Sequence, residues 1–196
     1  MDIIGANGLN KSTINGRATK EYRTWHNLIV RLTDKKQLNK YPKYKDCYIC
    51  DEWLIFDNFV NWYKDNYYEI EGEAMCLDKD ILVKGNKLYS PETCIFVPNS
   101  INVLFTKSDI VRGNLPIGVY YEKDSNKFKS QLSYQEYRGG KKKRKNLGRF
   151  NTPEEAFLKY KEEKERYIKT VADRYKDEIP MTLYIAMYNY TVEWSD

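Results

Sequence analysis

The composition of this 196-residue chain excludes two broad classes of protein. Charged residues make up 31% and aromatic residues 15%, a mixture too charged for a membrane protein and too aromatic for a disordered chain. No apolar run reaches the ~20 residues that span a bilayer, and the N-terminal segment lacks a signal-peptide core. We therefore expect a cytoplasmic protein without a membrane partner, in which the four cysteines are thiols.

The net charge of +5 is distributed unevenly along the chain. Residues 1–50 hold ten Lys/Arg against four Asp/Glu, and residues 107–150 hold twelve against four. Residues 51–106 hold four against ten, and residues 151–196 hold seven against ten. The two basic blocks contain interleaved tyrosines and phenylalanines and favour a nucleic-acid partner, whereas the acidic block suits a divalent cation. The alternative is a solvated surface without a ligand.

The first half of the chain predicts a flexible arm followed by two helices. Residues 1–19 are rich in Gly, Asn, Ser and Thr and predict the arm, and residues 33–50 predict a basic loop that carries tyrosines. Residues 21–32 and 51–66 place apolar side chains at helical spacing. The faces that we expect to be buried are Tyr22, Trp25, Leu28, Ile29 and Leu32 in the first helix, and Phe56, Phe59, Val60 and Tyr63 in the second.

Two strands and a helix are predicted next. Residues 75–83 and 93–97 are β-like runs joined by a turn-rich segment, and residues 99–110 predict a short helix. Because such a ββα unit is too small to be stable alone, we expect it to pack on the two earlier helices, in a domain of residues 20–112.

The last part of the chain predicts a three-stranded antiparallel sheet with one long helix. Residues 115–124, 127–137 and 141–150 form the strands, separated by an Asp-Ser-Asn turn and a Gly-Gly turn. Thr152 as N-cap and Pro153 at the first helical position begin the helix. The fold class is therefore α+β, with a second domain of residues 113–178 and a C-terminal apolar helix or strand in residues 179–196.

The sheet-and-helix segment resembles the ethylene-response-factor (APETALA-type) DNA-binding domain. The resemblance is carried by "IGVYYEKDSNKFKSQLS" and "KNLGRFNTPEEAFLKYKEEKE", with Phe128 in place of the usual central tryptophan. It implies that outward residues of the sheet enter the major groove of duplex DNA. Matched positions and the adjoining basic run give the expected contacts: Lys127, Lys129, Gln131, Lys141, Lys142, Lys143 and Arg144.

The segment "CLDKDILVKGNKLYSPETCIFVPNSIN" resembles the ββα unit of HNH nucleases, as found in bacteriophage homing-type endonucleases that are often fused to the same sheet domain. The resemblance implies one divalent metal ion, Mg²⁺ or Mn²⁺, and a histidine that activates water. It assigns the metal ligands to Asp78 and Asn102. It places Lys79 at the position of the histidine and Thr93 at that of the central asparagine, and we add the neighbouring Asp80 to these two as a catalytic candidate.

Lys79 leaves two functions open. A lysine has a reference pKa of ~10.4 and cannot take a proton from water unless it is strongly desolvated, although it can stabilise a phosphate as a cation. The first hypothesis is an HNH-like DNA endonuclease or nickase, or a weakly active derivative. The alternative is an inactive derivative that binds nucleic acid or a nucleoprotein defence complex in the host cytoplasm, as an anti-CRISPR inhibitor or a regulator. The single histidine, His26, is expected to pack beside Trp25.

The cysteines permit a structural zinc site as a third interpretation. Cys47 and Cys50 have the spacing of a zinc knuckle, and Cys76 and Cys94 lie on adjacent predicted strands. The second pair lacks that close spacing, so buried free thiols are the default expectation.

Overall fold

The computed structural model describes residues 10–106 and 114–196 and has the mixed α+β architecture that the sequence predicts. The chain divides into two compact units, Met1–Ser100 and Ile101–Asp196. The domain boundary predicted between residues 112 and 113 lies outside the described residues. Within the described part of the chain, no helix has the length and apolar character needed to cross a membrane.

The first unit begins with a β-hairpin in the segment where the sequence predicts a flexible arm. β1 (Thr13–Ile14) pairs antiparallel with β2 (Arg17–Ala18). The turn between them places Asn15 and Gly16 at φ +50° and +73°, the left-handed conformation that two-residue hairpin turns require. The described end of the predicted arm is therefore a hairpin instead of an irregular segment, and residues 1–9 lie outside the described residues.

Three α-helices follow the hairpin. α1 (Lys20–Thr33) and α3 (Phe56–Asn66) are the two amphipathic helices that the apolar spacing predicts. Between them, α2 (Lys35–Lys40) and a 3₁₀ helix (Pro42–Tyr44) replace the predicted loop, because the Asp34 carboxylate caps the start of α2. The buried residues of α1 and α3 are Trp25, Leu28, Ile29, Phe56, Phe59, Val60 and Tyr63, with Tyr22 and Leu32 partly buried beside them.

Two small sheets complete the first unit. β3 (Tyr48–Ile49) pairs in parallel with β5 (Leu88–Tyr89). β4 (Met75–Asp78) pairs antiparallel with β6 (Ile95–Pro98), and α4 (Asn99–Asn102), in which the first unit ends at Ser100, follows β6 directly. The helix predicted for residues 99–110 is thus a single turn, and residues 107–110 lie outside the described residues.

The second unit is a three-stranded antiparallel sheet with two helices. β7 (Val119–Glu122), β8 (Lys127–Tyr134) and β9 (Lys143–Phe150) lie in the order β7-β8-β9. α5 (Pro153–Tyr175) packs on the sheet, and α6 (Met181–Tyr188) packs on α5. The predicted apolar helix or strand at the C-terminal end is therefore a helix over these residues.

Local contacts fix the position of α5 on the sheet. The Thr152 hydroxyl accepts a hydrogen bond from the Glu155 N–H at 3.2 Å, and the Glu155 carboxylate accepts one from the Thr152 N–H at 3.4 Å. At the start of the sheet, Gly118 has φ +77°, and a Cβ atom there would lie 2.0 Å from the Tyr160 ring of α5. Only glycine allows this close approach of helix and strand.

Candidate functional site

The loop that we call the acidic loop, after Asp78 and Asp80, comprises residues 78–93, contains three Asp/Glu and three Lys, and begins where β4 ends at Asp78. The Asp78 Oδ1 atom accepts hydrogen bonds from the backbone N–H groups of Asp80 at 2.9 Å and Ile81 at 2.7 Å. Burial, and then the Asp80 carboxylate, raise the pKa of Asp78 to about 6. One oxygen of Asp78 therefore shapes the turn, and among the described residues the Oδ2 atom receives no hydrogen bond.

Lys79 is buried in this loop, with 6% of its surface exposed. Its Nζ atom donates to the Asn86 carbonyl oxygen at 2.6 Å and to the Asp80 carboxylate at 2.8 Å. The same ammonium lies 5.8 Å from the centroid of the Tyr89 ring. The position that the nuclease resemblance assigns to the general base is thus filled by a cation whose donors are directed at protein atoms.

Two further side chains tie the loop together. The Asn86 side-chain amide donates to the carbonyl oxygens of Lys79 at 2.7 Å and Leu88 at 2.6 Å. The Thr93 hydroxyl donates to the Leu88 carbonyl at 2.8 Å. Sequence reasoning missed Asn86, for which the signal is the Gly85-Asn86 turn, with Gly85 at φ +78°. Thr93, at the position that the nuclease resemblance assigns to the central asparagine, therefore connects the end of the loop to Leu88.

The described residues contain no group of three or more His, Cys, Asp or Glu side chains that could hold a metal ion. The predicted ligand pair, Asp78 and Asn102, is smaller than such a group, and its two members belong to different units. Mg²⁺ often binds one or two protein carboxylates and completes its coordination with water and substrate phosphates. A single Asp78 oxygen without a hydrogen bond from a described residue does not form an all-protein metal site.

The four cysteines are free thiols. The Cys47 Sγ atom donates to the Lys43 carbonyl, and the Cys76 Sγ atom donates to the Asn99 side-chain oxygen; both distances are 3.6 Å. Burial raises the pKa of Cys94 to about 12, so this thiol is protonated at neutral pH. These contacts give no support to the zinc interpretation.

His26 is exposed on α1 and stacks on Tyr22 at a centroid distance of 5.7 Å.

The sheet of the second unit has one face against α5 and one open face. Ser130 and Leu132 of β8 are buried, and the Tyr134 ring packs against Tyr167 of α5 at 6.3 Å. Successive residues of a strand point to opposite sides of the sheet. The alternate positions of β8 therefore form what we call the open face: Lys127, Lys129, Gln131 and Ser133.

A β-bulge decides which residues of the basic run in β9 share this face. Ser130 pairs with Gly148 and Gln131 pairs with Asn146, which leaves Leu147 as an extra residue in β9. Gly148 has φ +129°, a conformation that favours glycine. Because one residue is inserted, the alternation of β9 inverts at this point.

The inversion separates neighbouring residues of the basic run. Arg144 pairs with Ser133 and therefore lies on the open face. Lys143 and Lys145 lie on the other side, where they form ion pairs with Glu136 at 2.7 Å and with Glu163 of α5 at 2.9 Å. Of the seven predicted DNA contacts, the structure places four on the open face and Lys143 on the opposite one. Lys141 and Lys142 are exposed and precede β9.

The cations of the open face differ in how they are neutralised. Arg149 pairs with Glu122, and hydrogen bonds from Arg149 and Ser125 lower the pKa of Glu122 to about 2. Among the described residues, Lys129 and Arg144 form no ion pair. Sequence reasoning missed Arg149 and Tyr120, of which Tyr120 is 54% exposed. Both lie opposite Lys129 on the neighbouring strands. The strand alternation, combined with the register, is the signal that locates them.

Comparison with known proteins adds no relative that would assign these sites. No protein-family model matches the chain, and neither a curated protein nor a solved structure matches it. A functional assignment therefore has to come from the motifs and contacts of the chain itself.

Proposed function

We propose that the protein binds duplex DNA through the open face of its three-stranded sheet. The observation that supports this most strongly is the shared face of Lys129, Arg144 and Gln131, in which both cations lack an ion-pair partner among the described residues. The major groove of B-DNA is wide enough to admit β-strands. The resemblance to the ethylene-response-factor domain, whose sheet enters that groove, supports the same proposal.

The side chains of the open face suit a mixed mode of recognition. Lysine and arginine attract phosphates, and such contacts set the orientation of a protein on the duplex. The Gln131 amide can donate and accept at a base edge, and Tyr120 adds an exposed ring beside Lys129. Phosphate contacts therefore supply most of the affinity, and Gln131 and Arg144 supply the contacts that can distinguish bases.

Two matched double variants test this proposal by fluorescence anisotropy with a labelled duplex over a salt series. Lys129→Gln/Arg144→Gln removes two open-face charges and should weaken binding about tenfold and reduce the salt slope by about two. Lys143→Gln/Lys159→Gln removes the same charge from residues outside the open face and should have a much smaller effect. Equal losses in both variants, or no loss in the first, would overturn the proposal.

We further propose that the first unit derives from an HNH-type nuclease and binds without efficient cleavage. β4 pairs antiparallel with β6, with β5 between them in the chain, and α4 follows β6 directly; this arrangement is compatible with a ββα unit in which Asp78 ends the first strand. However, the Lys79 ammonium and the Thr93 hydroxyl are both directed at loop carbonyls. These contacts favour an inactive or weakly active derivative, which would act by occupying DNA or a host nucleoprotein complex.

A plasmid-nicking assay separates the two forms of this second proposal. Supercoiled plasmid is incubated with the protein in Mg²⁺, in Mn²⁺ and in EDTA, beside the Asp78→Ala variant. Binding without nicking supports the inactive derivative and directs attention to a protein partner. Metal-dependent nicking that Asp78→Ala abolishes would establish a working nuclease and contradict the role assigned to Lys79.

A further inference from the structure

We infer that the lysine–tyrosine segment, which we define as residues 35–48 of the first unit, binds single-stranded nucleic acid. It shares no residue with the open face or with the acidic loop, although its last residue, Tyr48, pairs with Leu88 of that loop. The segment carries five exposed lysines, and within the described part of the chain none of them forms an ion pair. They are Lys35, Lys36, Lys40, Lys43 and Lys45. The segment contains one carboxylate, Asp46, so the five lysines leave a net charge of +4 and create a positive local potential.

Tyrosine rings lie among these cations. Tyr41 and Tyr48 are 42% and 59% exposed. The Lys40 ammonium lies 5.1 Å from the centroid of the Tyr41 ring, and Lys43 lies 5.2 Å from that of Tyr44. The segment therefore offers exposed aromatic surface and positive charge at the same place.

The backbone that carries these side chains is held by the rest of the first unit. Cys47 and Ile49 are buried, and the Tyr48 N–H donates to the Lys87 carbonyl at 3.0 Å in the β3–β5 pair. On α1, the Arg31 guanidinium lies 5.2 Å from the centroid of the Tyr44 ring and donates to the Tyr89 hydroxyl at 3.2 Å. The tyrosines are thus presented on a fixed scaffold, which reduces the entropy lost on binding.

These features select a single strand over other polyanions. Ammonium groups attract phosphates, and exposed tyrosine rings stack on unpaired bases with little dependence on sequence. The bases of a duplex are already stacked on one another and do not offer their faces. An acidic peptide would satisfy the lysines but leave Tyr41 and Tyr48 without a stacking partner.

The charge component is tested with the full chain and labelled twelve-residue oligonucleotides, oligo(dT) and oligo(U), in fluorescence anisotropy. The variant Lys35→Gln/Lys36→Gln/Lys40→Gln should weaken binding at least about tenfold and reduce the salt slope by about two. The control Lys11→Gln/Lys123→Gln/Lys176→Gln makes the same change in net charge at exposed lysines outside the segment and should change binding less than about threefold. Equal losses in the two variants would overturn the inference. Comparison of the two oligonucleotides distinguishes DNA from RNA.

The stacking component is tested with Tyr41→Ala/Tyr48→Ala. This variant should weaken oligo(dT) binding by about tenfold or more without changing the salt slope, because stacking on one base contributes about 1–3 kcal/mol. Tyr41→Phe/Tyr48→Phe keeps both rings and should bind like the wild type. If the alanine variant binds like the wild type, or if a twelve-residue glutamate peptide competes as well as oligo(dT), the surface takes acidic peptides and the inference fails.

The same experiment separates this inference from the duplex proposal. Lys129→Gln/Arg144→Gln changes the open face alone and should leave oligo(dT) binding unchanged. A parallel loss of oligo(dT) and duplex binding in that variant would show a single shared surface and would contradict a separate role for the lysine–tyrosine segment.

Discussion

The acidic loop and the open face contain similar charged residues and use them in opposite ways. In the loop, Lys79 is buried, and two of the three donors of its ammonium are directed at the Asn86 carbonyl and the Asp80 carboxylate. On the open face, Lys129 and Arg144 have no ion-pair partner among the described residues. A lysine in a motif that resembles a catalytic one can therefore stabilise the backbone conformation, whereas cations on a basic strand that lacks such a motif can remain available to bind a ligand.

The largest effect on stability is expected from Lys79→Met. This substitution leaves the partly buried Asn86 carbonyl without the ammonium that now donates to it at 2.6 Å. We expect the free energy of unfolding to fall by about 2–3 kcal/mol in a denaturant titration. Lys87→Met, at an exposed lysine of the same loop, serves as the control and should change little. An unchanged Lys79→Met protein would mean that Lys79 does not hold the loop.

Asp78→Asn should raise the free energy of unfolding by a similar amount, and the increase should depend on pH. Burial raises the pKa of Asp78 from 3.8 to about 6, so the folded protein binds this proton more tightly than the unfolded chain. Its contribution to stability is therefore fully present below about pH 4 and is lost as the pH rises through about 6. The asparagine oxygen can still accept from Asp80 and Ile81. We expect the variant to be more stable than the wild type by about 2 kcal/mol at pH 7 and equal to it near pH 4.

Thr93→Val should have a smaller effect on the same loop. The substitution keeps the shape of the side chain and removes the hydroxyl that donates to the Leu88 carbonyl. Thermal or denaturant unfolding should show a loss of about 1 kcal/mol. Thr93→Ser retains the donor and should recover most of it. If serine and valine are equally destabilising, packing of the methyl group and not the hydrogen bond accounts for the change.

The smallest effect on stability is expected from Arg144→Gln on the open face. The side chain is exposed and makes no ion pair with a described residue, so the free energy of unfolding should stay within about 0.5 kcal/mol of the wild type. Duplex affinity should nevertheless fall severalfold. A clear loss of stability would show that Arg144 has a structural role, as Lys79 does, and would remove the contrast between the two regions.

Parts of the fold follow directly from local sequence. The helical spacing of Trp25, Leu28 and Ile29 in α1 predicts their burial, because a helix returns to the same face every three to four residues. The start of α5 is equally local, since Thr152 and Glu155 cap each other within one turn. By the same logic, Asp34 ahead of α2 is a usable capping signal in the segment predicted as a loop.

The site depends on contacts that local sequence does not contain. Lys79 is buried because Asn86 and Tyr89, seven and ten residues further on, return to meet it. A strict two-residue alternation back from Arg149 would place Lys143 on the open face instead of Arg144. The extra residue Leu147 inverts that result, and a single inserted residue is visible only once the strands are paired.

The most direct test of the central claim is a lysine-acetylation footprint of the full chain, with and without duplex DNA, in EDTA. Mass spectrometry follows the labelling rate of each lysine. DNA bound on the open face should slow the labelling of Lys127 and Lys129 severalfold and leave Lys143 and Lys159 unchanged. If Lys143 is slowed as much as Lys129, or if neither Lys127 nor Lys129 is slowed while DNA is bound, the open face is not the DNA-binding surface.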